Sequence, residues 1–458
     1  MSAAQLVERL GISQPTLSRT IHRMSDWVTS FRISGDRTPR YGWLRQLPLG
    51  IAPRQKIYRV LNTGTFTPFA DVEFLAGGAT LERVGSQAIT LYEELPPYMA
   101  FAAPSGFLGH HLAQQAARQL RFPESLKDWG DEHRVAYLFT RGLNLSGNLV
   151  FGDTSLQAEM DLRAVAPTPA AHKGTHFLQM ATALKETAFG SSAGGEQPKF
   201  LGLTEDVGHV IVKFAKSGSR MAELLPLEHL ALRSLSEVGV AAAATQLIAN
   251  GDYVFLEVQR FDRTGNAGRV GMLSAGAVDD EFFGRRDTWS EFAARCETAQ
   301  YLSSADARDV DTMAAFSELI GNTDRHFENI SLLIDEAGEY ARIAPAYDVL
   351  PMRYASIGGG VDPALTPIEP KVGTVGAKPE VWARAMDAAE RFWNAVQTEP
   401  MAVVTSAPMK RLAAQNLEVA RTFVAPLLPA RPADTGVSTA IQSLPRRHGR
   451  AQTGGIGR

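Results

Sequence analysis

Gly321-Asn322-Thr323-Asp324-Arg325-His326-Phe327-Glu328-Asn329 and Tyr347-Asp348-Val349, whose Asp348 stands nineteen residues beyond Asn329, decide how this chain of 458 residues is read. Asp324 and Asn329 stand as D-x-x-x-x-N. Ile330, Leu332, Leu333 and Ile334 follow as a short β-prone run, Asp335-Glu336-Ala337-Gly338 makes a turn, and a second run from Ile343 to Ala346 ends at Asp348. The pattern predicts a loop, a β-hairpin and an acid at the hairpin's exit.

Phosphoryl transfer from ATP needs three side chains of these kinds. A carboxylate orients the nucleophile and takes its proton, an amide oxygen holds one magnesium ion, and a second carboxylate joins magnesium to the phosphates. Asp324, Asn329 and Asp348 fit those roles in that order, with the spacing of a protein-kinase catalytic loop. Alone the motif is weak, because Asp and Asn are common turn formers. It needs support from upstream.

Ser191-Ser192-Ala193-Gly194-Gly195-Glu196-Gln197-Pro198-Lys199-Phe200 is a glycine-rich stretch with no bulky side chain to keep the amides of Ser192 to Glu196 from a phosphate. His209-Val210-Ile211-Val212-Lys213-Phe214 predicts an apolar strand ending at a lysine that reaches the α- and β-phosphates. A helix expected from about Leu227 to Val238, closed by Gly239, carries Glu228 in its first turn, in position to pair with Lys213. Tyr253-Val254-Phe255-Leu256-Glu257-Val258 is then the hinge strand, the backbone of Glu257 and Val258 meeting adenine. Each element has a bland reading: strand-end lysines are usually solvated, and first-turn glutamates answer the helix dipole. In this order they support one another. Trp289 to Ile320 should be helical, and Pro379 to Asn394 and Pro408 to Phe423 read as amphipathic helices beneath the loop.

At the other end, Ala4 to Met24 reads as two short helices around Gly11-Ile12-Ser13. Leu17, Ile21 and Met24 line the inner face of the second, and Gln14, Thr16, Ser18, Arg19 and Arg23 its outer face. That is a helix-turn-helix with Gln14 to Arg23 as recognition helix. Two extended pieces around Ser34-Gly35-Asp36 read as a wing. Residues 1–45 hold seven arginines against three acids, a local positive excess in a chain of net charge −3. A plain helical hairpin is the alternative. A three-helix version needs a helix before Ala4, so either the chain starts short of the true beginning or the module is degenerate.

Ile57 to Phe101 reads as a small antiparallel sheet, followed by helices over Leu108 to Leu120 and Trp129 to Leu143. Ala166 to Lys173 reads as a Pro- and Ala-rich linker. The stretch from Leu428 is basic, rich in Pro, Gly and Ser and without periodicity, so a disordered tail is expected. No apolar run reaches the ~18 residues of a membrane span, so no membrane association is expected. The single cysteine, Cys296, allows no internal disulfide, which fits a reducing cytoplasm.

The segments Ser191 to Lys199, Val212-Lys213, Val258-Gln259-Arg260-Phe261-Asp262-Arg263, Asn322 to His326 and Tyr347-Asp348-Val349-Leu350-Pro351 together resemble the HipA family of bacterial serine/threonine kinase toxins. The likeness is to its YjjJ branch, which carries its own N-terminal winged helix-turn-helix. The resemblance implies an α+β, two-lobed protein-kinase-like fold. Its expected parts are a DNA-binding module (1–48), a β-rich subdomain (49–150), an N-lobe (151–262), a helical C-lobe (263–426) and a tail (427–458). It implies ATP and Mg2+ as cofactors, Lys213 on the phosphates, Asp324 as catalytic aspartate and Asn329 with Asp348 on magnesium. Ser191 or Ser192 would be autophosphorylated. Implied partners are a protein substrate such as an aminoacyl-tRNA synthetase, operator DNA, a separate antitoxin and a second copy of the chain. Asp324-Arg325-His326-x-x-Asn329 also resembles the phosphoinositide-kinase loop, where His326 would assist proton transfer or serve structure. Two rival readings are a DNA-binding regulator with a silent kinase domain and a lipid or small-molecule kinase.

Overall fold

The computed structural model describes residues 1–33, 38–85, 88–187, 197–357, 361–401, 403 and 405–429. Helix α1 (Ala3–Leu10) begins at a capping box, in which Ser2 accepts from the Gln5 N–H and the Gln5 side chain accepts from the Ser2 N–H. It stops at Gly11, whose φ of 62° suits a residue without a Cβ. α2 (Gln14–Arg23) has Pro15 in its first turn and buries Leu17. Strands β1 (Val28–Phe31) and β2 (Arg40–Trp43) pair antiparallel; the expected wing tip, Ser34-Gly35-Asp36, lies outside the described residues. Phe31 and Leu44 pack on Leu75 and Leu81 of the next unit. Thr29 Oγ1 donates to Glu73 at 2.6 Å, so the module is seated on that unit by both apolar and polar contacts.

The middle unit is an antiparallel sheet of β3 (Arg54–Val60), β4 (Phe66–Phe74), β5 (Thr80–Val84) and β6 (Ala88–Tyr92). Helices α3 (Pro97–Ala102), α4 (Gly106–Leu120) and α5 (Asp131–Arg141) follow. Ile57, Val72 and Phe74 of the sheet bury against Met99, Val135, Leu138 and Phe139. The chain then returns as β7 (Leu149–Phe151) beside β3 and continues as α6 (Gly152–Leu162). The unit therefore runs past residue 150, where a boundary was expected. Three residues of β7 are too few to show a period in sequence.

Ala166 to Lys173 is partly structured: Ala170–His172 forms a single 3-10 turn and α7 (Lys173–Thr187) starts directly after it. The expected N-lobe is a four-stranded antiparallel sheet of β8 (Lys199–Thr204), β9 (Gly208–Lys216), β10 (Thr245–Asn250) and β11 (Tyr253–Gln259), in the order β10-β11-β9-β8. Alternation along β9 splits its side chains. Val210, Val212 and Phe214 pack on Phe177 and Ala181 of α7, which leaves Ile211 and Lys213 for the opposite face. Helix α8 (Arg220–Glu237) covers that second side. It begins seven residues before the expected Leu227, capped by the Ser219 hydroxyl on the Ala222 N–H. Pro226 lies within it and cannot donate to the carbonyl four residues back. Leu224, Leu225, Leu227 and Leu230 around it are fully buried, so packing overrides the break, and Glu228 sits in mid-helix rather than in a first turn.

The C-lobe opens with the short pair β12 (Arg263–Thr264) and β13 (Gly268–Arg269). β14 (Gly271–Ser274), α9 (Ala275–Phe282), α10 (Trp289–Thr298) and α11 (Ser304–Ile320) follow. β15 (Ser331–Ile334) pairs with β14 on one side and β16 (Tyr340–Ile343) on the other. Helices α12 (Pro379–Thr398) and α13 (Ala407–Val424) close the lobe. Phe316, Leu319, Trp382, Phe392 and Trp393 form the centre of its core. α11 is buried along most of its second half, from Val310 to Ile320, where only Glu318 stays partly exposed. It ends at Gly321 (φ 77°), which releases the chain into the loop quoted above. Of the expected tail, 427–458, Leu427 closes a 3-10 turn that follows α13, and residues 430–458 lie outside the described residues. No helix among the described residues is long and apolar enough to cross a membrane.

Candidate active site

Two adjoining cavities, of about 510 and 480 Å³, open between the lobes and share Lys199, Lys213, Glu228, Asn329 and Asp348 in their walls. Lys213 comes from β9 and Glu228 from α8, which packs across that strand. The Lys213 ammonium donates to both Glu228 oxygens, at 2.6 and 2.8 Å, and to Asp348 Oδ1 at 2.6 Å. The side chains of Lys213 and Glu228 are 7% and 1% exposed, whereas that of Asp348 is 32% exposed. Burial works against the ammonium, but Asp348 and Glu228 outweigh it and hold Lys213 protonated. Burial likewise opposes the Asp348 carboxylate, and Lys213 with Lys199 keeps its pKa below the ordinary range. Asp348 has a φ of 56°, a left-handed backbone that aspartate accepts more readily than most residues. That bend follows β16 and turns the carboxylate back onto Lys213.

The loop from Gly321 is held at several points. The Asp324 N–H donates to Asn322 Oδ1 at 3.1 Å, and Asn322 itself is buried. Asn329 Nδ2 donates to the Asp324 carbonyl at 2.8 Å. Arg325 pairs with Glu318 on α11 at 2.6 Å, and the Trp289 indole donates to the His326 carbonyl. The Tyr347 hydroxyl donates to the Glu328 carbonyl, tying the loop to the residue before Asp348. Held in this way, the Asp324 side chain projects half exposed into the smaller cavity. His326 Nε2 lies 3.6 Å from Asp324 Oδ1 and its Nδ1 3.4 Å from Glu328 Oε2. The contact with Glu328, then Asp324, raises the His326 pKa above its ordinary value, and that of Glu328 falls to about 2.

Lys213, Glu228, Asp324, His326, Asn329 and Asp348 are thus brought to one place. Val258 also lines the larger cavity, but Glu257 does not. Period-2 alternation turns the Glu257 side chain to the α7 side, where Lys173 pairs with it at 2.5 Å. The backbone of β11 is laddered on both sides, to β10 and β9. Beyond it, Arg260 and Phe261 line the cavity. Ser191, Ser192, Ala193, Gly194, Gly195 and Glu196 lie outside the described residues. In α2, Gln14, Ser18, Arg19 and Arg23 are exposed. Thr16 is half-buried, with its hydroxyl 2.9 Å from that of Ser13.

The oxygen donors suit magnesium. Asn329 and Asp348 supply an amide and a carboxylate beside Asp324, and magnesium is usually held by one or two carboxylates plus phosphates rather than by a full protein cage. Among the described residues no group of three or more His, Cys, Asp or Glu forms such a cage.

Sequence reasoning missed two contributors. Lys199 stands directly opposite Lys213 in the β8–β9 register, on the same face, giving the cavities a second ammonium. Only the register reveals it. Gly106 and Phe107, at the start of α4 in the middle unit, line both cavities; nothing local marks them.

Two family models match the chain: HipA-like C-terminal domain over residues 191–414, and YjjJ-like toxin, middle domain, over residues 51–160. Toxin YjjJ of Escherichia coli (strain K12) is 32% identical over 412 residues, which are 87% of this chain and 90% of that one. HipA of Shewanella oneidensis MR-1, solved with HipB and its operator DNA, superposes with a TM-score of 0.51 at 15% identity, covering 81% of this chain and 97% of its own. The Helicobacter pylori proinflammatory kinase CtkA covers 52% of this chain and 91% of its own at 12% identity, with a TM-score of 0.38. The HipA superposition identifies the two lobes as a HipA-type, kinase-like fold. With YjjJ alike across nearly the whole of both chains, this chain belongs to the HipA family of toxins, in its YjjJ branch.

Proposed function

We propose that this chain is an ATP- and magnesium-dependent protein serine/threonine kinase acting as a toxin, with a fused DNA-binding module. The observation that carries the reading is the Lys213–Glu228–Asp348 cluster facing Asp324 and Asn329 across the adjoining cavities. ATP with Mg2+ supplies the transferable phosphoryl group and neutralises its charge. Glu228 fixes Lys213 at the cavity wall, and Lys199 adds a second cation for the phosphates. Asn329 and Asp348 offer the metal oxygen ligands. Asp324 orients an incoming serine hydroxyl and accepts its proton, and His326 buffers that carboxylate from 3.6 Å. Val258, Arg260 and Phe261 wall the side where adenine enters.

A phosphate on Ser191 or Ser192 would place two negative charges on a loop that has to approach phosphates, and would expel it, switching the enzyme off. Family resemblance suggests an aminoacyl-tRNA synthetase as substrate. Gln14, Ser18, Arg19 and Arg23 on the outer face of α2 are the proposed operator contacts, with Thr16 fixing the helix start. A two-fold dimer on a palindromic operator and a HipB-like antitoxin complete the proposal, in a cytoplasmic protein.

Calorimetric titration of the full chain with Mg-ATP tests the reading. Saturable binding should weaken at least tenfold in Lys213→Met and persist in Asp324→Ala. Absence of binding to the folded wild type would refute the kinase assignment and leave a DNA-binding regulator.

A further inference from the structure

A second polar pocket, about 230 Å³, shares no lining residue with the larger cavity and is separated from it by Arg260 and Asp262, which line that cavity and pair with each other, Asp262 pairing also with Arg263. It sits where the end of α6 and the segment Ala164 to Pro167 meet β8, β9 and the β12–β13 pair. Arg163, Arg263, Arg269, His209 and Asn266 line it, and Glu159 is its only lining carboxylate.

The charges around it do not balance. Asp262 serves both Arg260, at 2.8 Å, and Arg263, at 2.7 Å, while Glu159 pairs with Arg269. Arg163 lies over the Phe66 ring, 4.0 Å from its centroid, and reaches the Ala267 carbonyl at 3.5 Å. Among the described residues it has no carboxylate partner. Four guanidiniums therefore share two carboxylates, and Arg263 and Arg269 have side chains only 3% and 6% exposed. The Arg269 Nη1 is buried without a hydrogen-bond partner among the described residues. Three of these guanidiniums are buried beside two carboxylates and the fourth, Arg163, stands exposed at the cavity, so an anion bound there would meet a local excess of positive charge.

We propose that this pocket is a binding site for a small phosphate-type oxyanion, either inorganic phosphate or the phosphate group of a small ester. Arg163 and Arg269 provide the guanidinium donors, whose planar forks match phosphate oxygens. The pocket is below the usual range for drug-sized ligands, so it suits a phosphate with a short organic stub rather than a nucleotide. Arg163 is exposed on its outer rim, where it closes over the ligand.

The test is calorimetric titration of the full chain with inorganic phosphate, and separately with glycerol 3-phosphate, at constant ionic strength. Wild type, Arg163→Ala, Arg163→Glu and Lys199→Ala are compared, the last reporting on phosphate in the active-site cavities. Saturable binding that falls at least tenfold in both Arg163 variants and is unchanged in Lys199→Ala is the expected result. Tighter binding of the ester than of free phosphate would identify an ester as the ligand, and the reverse would identify phosphate itself. Absence of saturable binding would overturn the proposal. So would binding that survives both Arg163 variants, whose exposed position spares the fold.

Discussion

Replacing Glu228 by Ala removes one member of a pair that the lobes are built around. Both Glu228 oxygens accept from Lys213, and the two side chains are 1% and 7% exposed, so water cannot take the lost partner's place. Breaking a buried pair from one side typically costs about 3–5 kcal/mol, because an uncompensated charge stays behind. Asp348 remains 2.6 Å from Lys213 and offsets part of that, which places the expected loss near the lower figure, about 3 kcal/mol. For a lobe of a few hundred residues this corresponds to a fall in Tm of roughly 6–12 °C. Glu228→Gln keeps the shape and one acceptor, so its loss should be smaller, about 1.5–3 kcal/mol. Thermal melts of both variants beside Lys213→Met, and of the Lys213→Met/Glu228→Leu double variant, provide the assay. The double variant has no unpaired Glu228 charge and should recover much of the stability lost in Lys213→Met. Single variants that melt within 2 °C of wild type, taking about 1 kcal/mol as the threshold, would refute the reasoning.

Three other outcomes follow from the same geometry. Asn329→Asp removes the N–H donor that holds the Asp324 carbonyl at 2.8 Å and alters the metal ligand set, so phosphoryl transfer should fall by at least about 10–100-fold with the fold retained by circular dichroism. Arg19→Ala and Arg23→Ala should each weaken operator binding and lower the slope of log affinity against log salt by about one, read by fluorescence anisotropy. The His326–Glu328 contact is stabilising only while both are charged. Glu328 is depressed to about 2, so its share is present above the ordinary 4.5 and lost as pH falls toward 2. His326 is raised, so its share is present below the ordinary 6.5 and lost as pH rises through the folded-state value. Both side chains are about half exposed, and solvent screening limits the contribution to about 0.5 kcal/mol. The Tm difference between wild type and His326→Gln should be larger at pH 5.5 than at pH 8.5, and equal differences would contradict the pairing.

What could be read ahead of the structure was local. The run from Asp324 through the hairpin to Asp348 is contiguous, and its turn chemistry and β-prone pairs suffice to place its polar residues on one side. Lys213 on an apolar strand is legible for the same reason, although β9 runs on to Lys216 rather than ending near the lysine. Contacts set by register or by distant chain were not. Lys199 reaches the site because β8 and β9 align it with Lys213, and a one-residue shift would have turned it away. Glu257 faces Lys173, 84 residues earlier, which the strand pattern alone does not predict. The helix was expected only from Leu227, yet α8 starts at Arg220 and burial on every side carries it through Pro226. The β7 strand is three residues long and the linker before α7 is rich in proline, so neither the return of the chain to the middle sheet nor the start of α7 had a periodic signal.

Phosphoryl transfer by Asp324 is the central claim, and intact-protein mass spectrometry tests it most directly. The purified full chain and Asp324→Ala would each be incubated with and without Mg-ATP, and the peptide spanning residues 190–199 mapped afterwards. The account predicts one added phosphoryl group on Ser191 or Ser192 in the wild type and none in Asp324→Ala. An unmodified wild type that also fails to label any protein of a bacterial extract would contradict it, as would Asp324→Ala labelled to the wild-type extent.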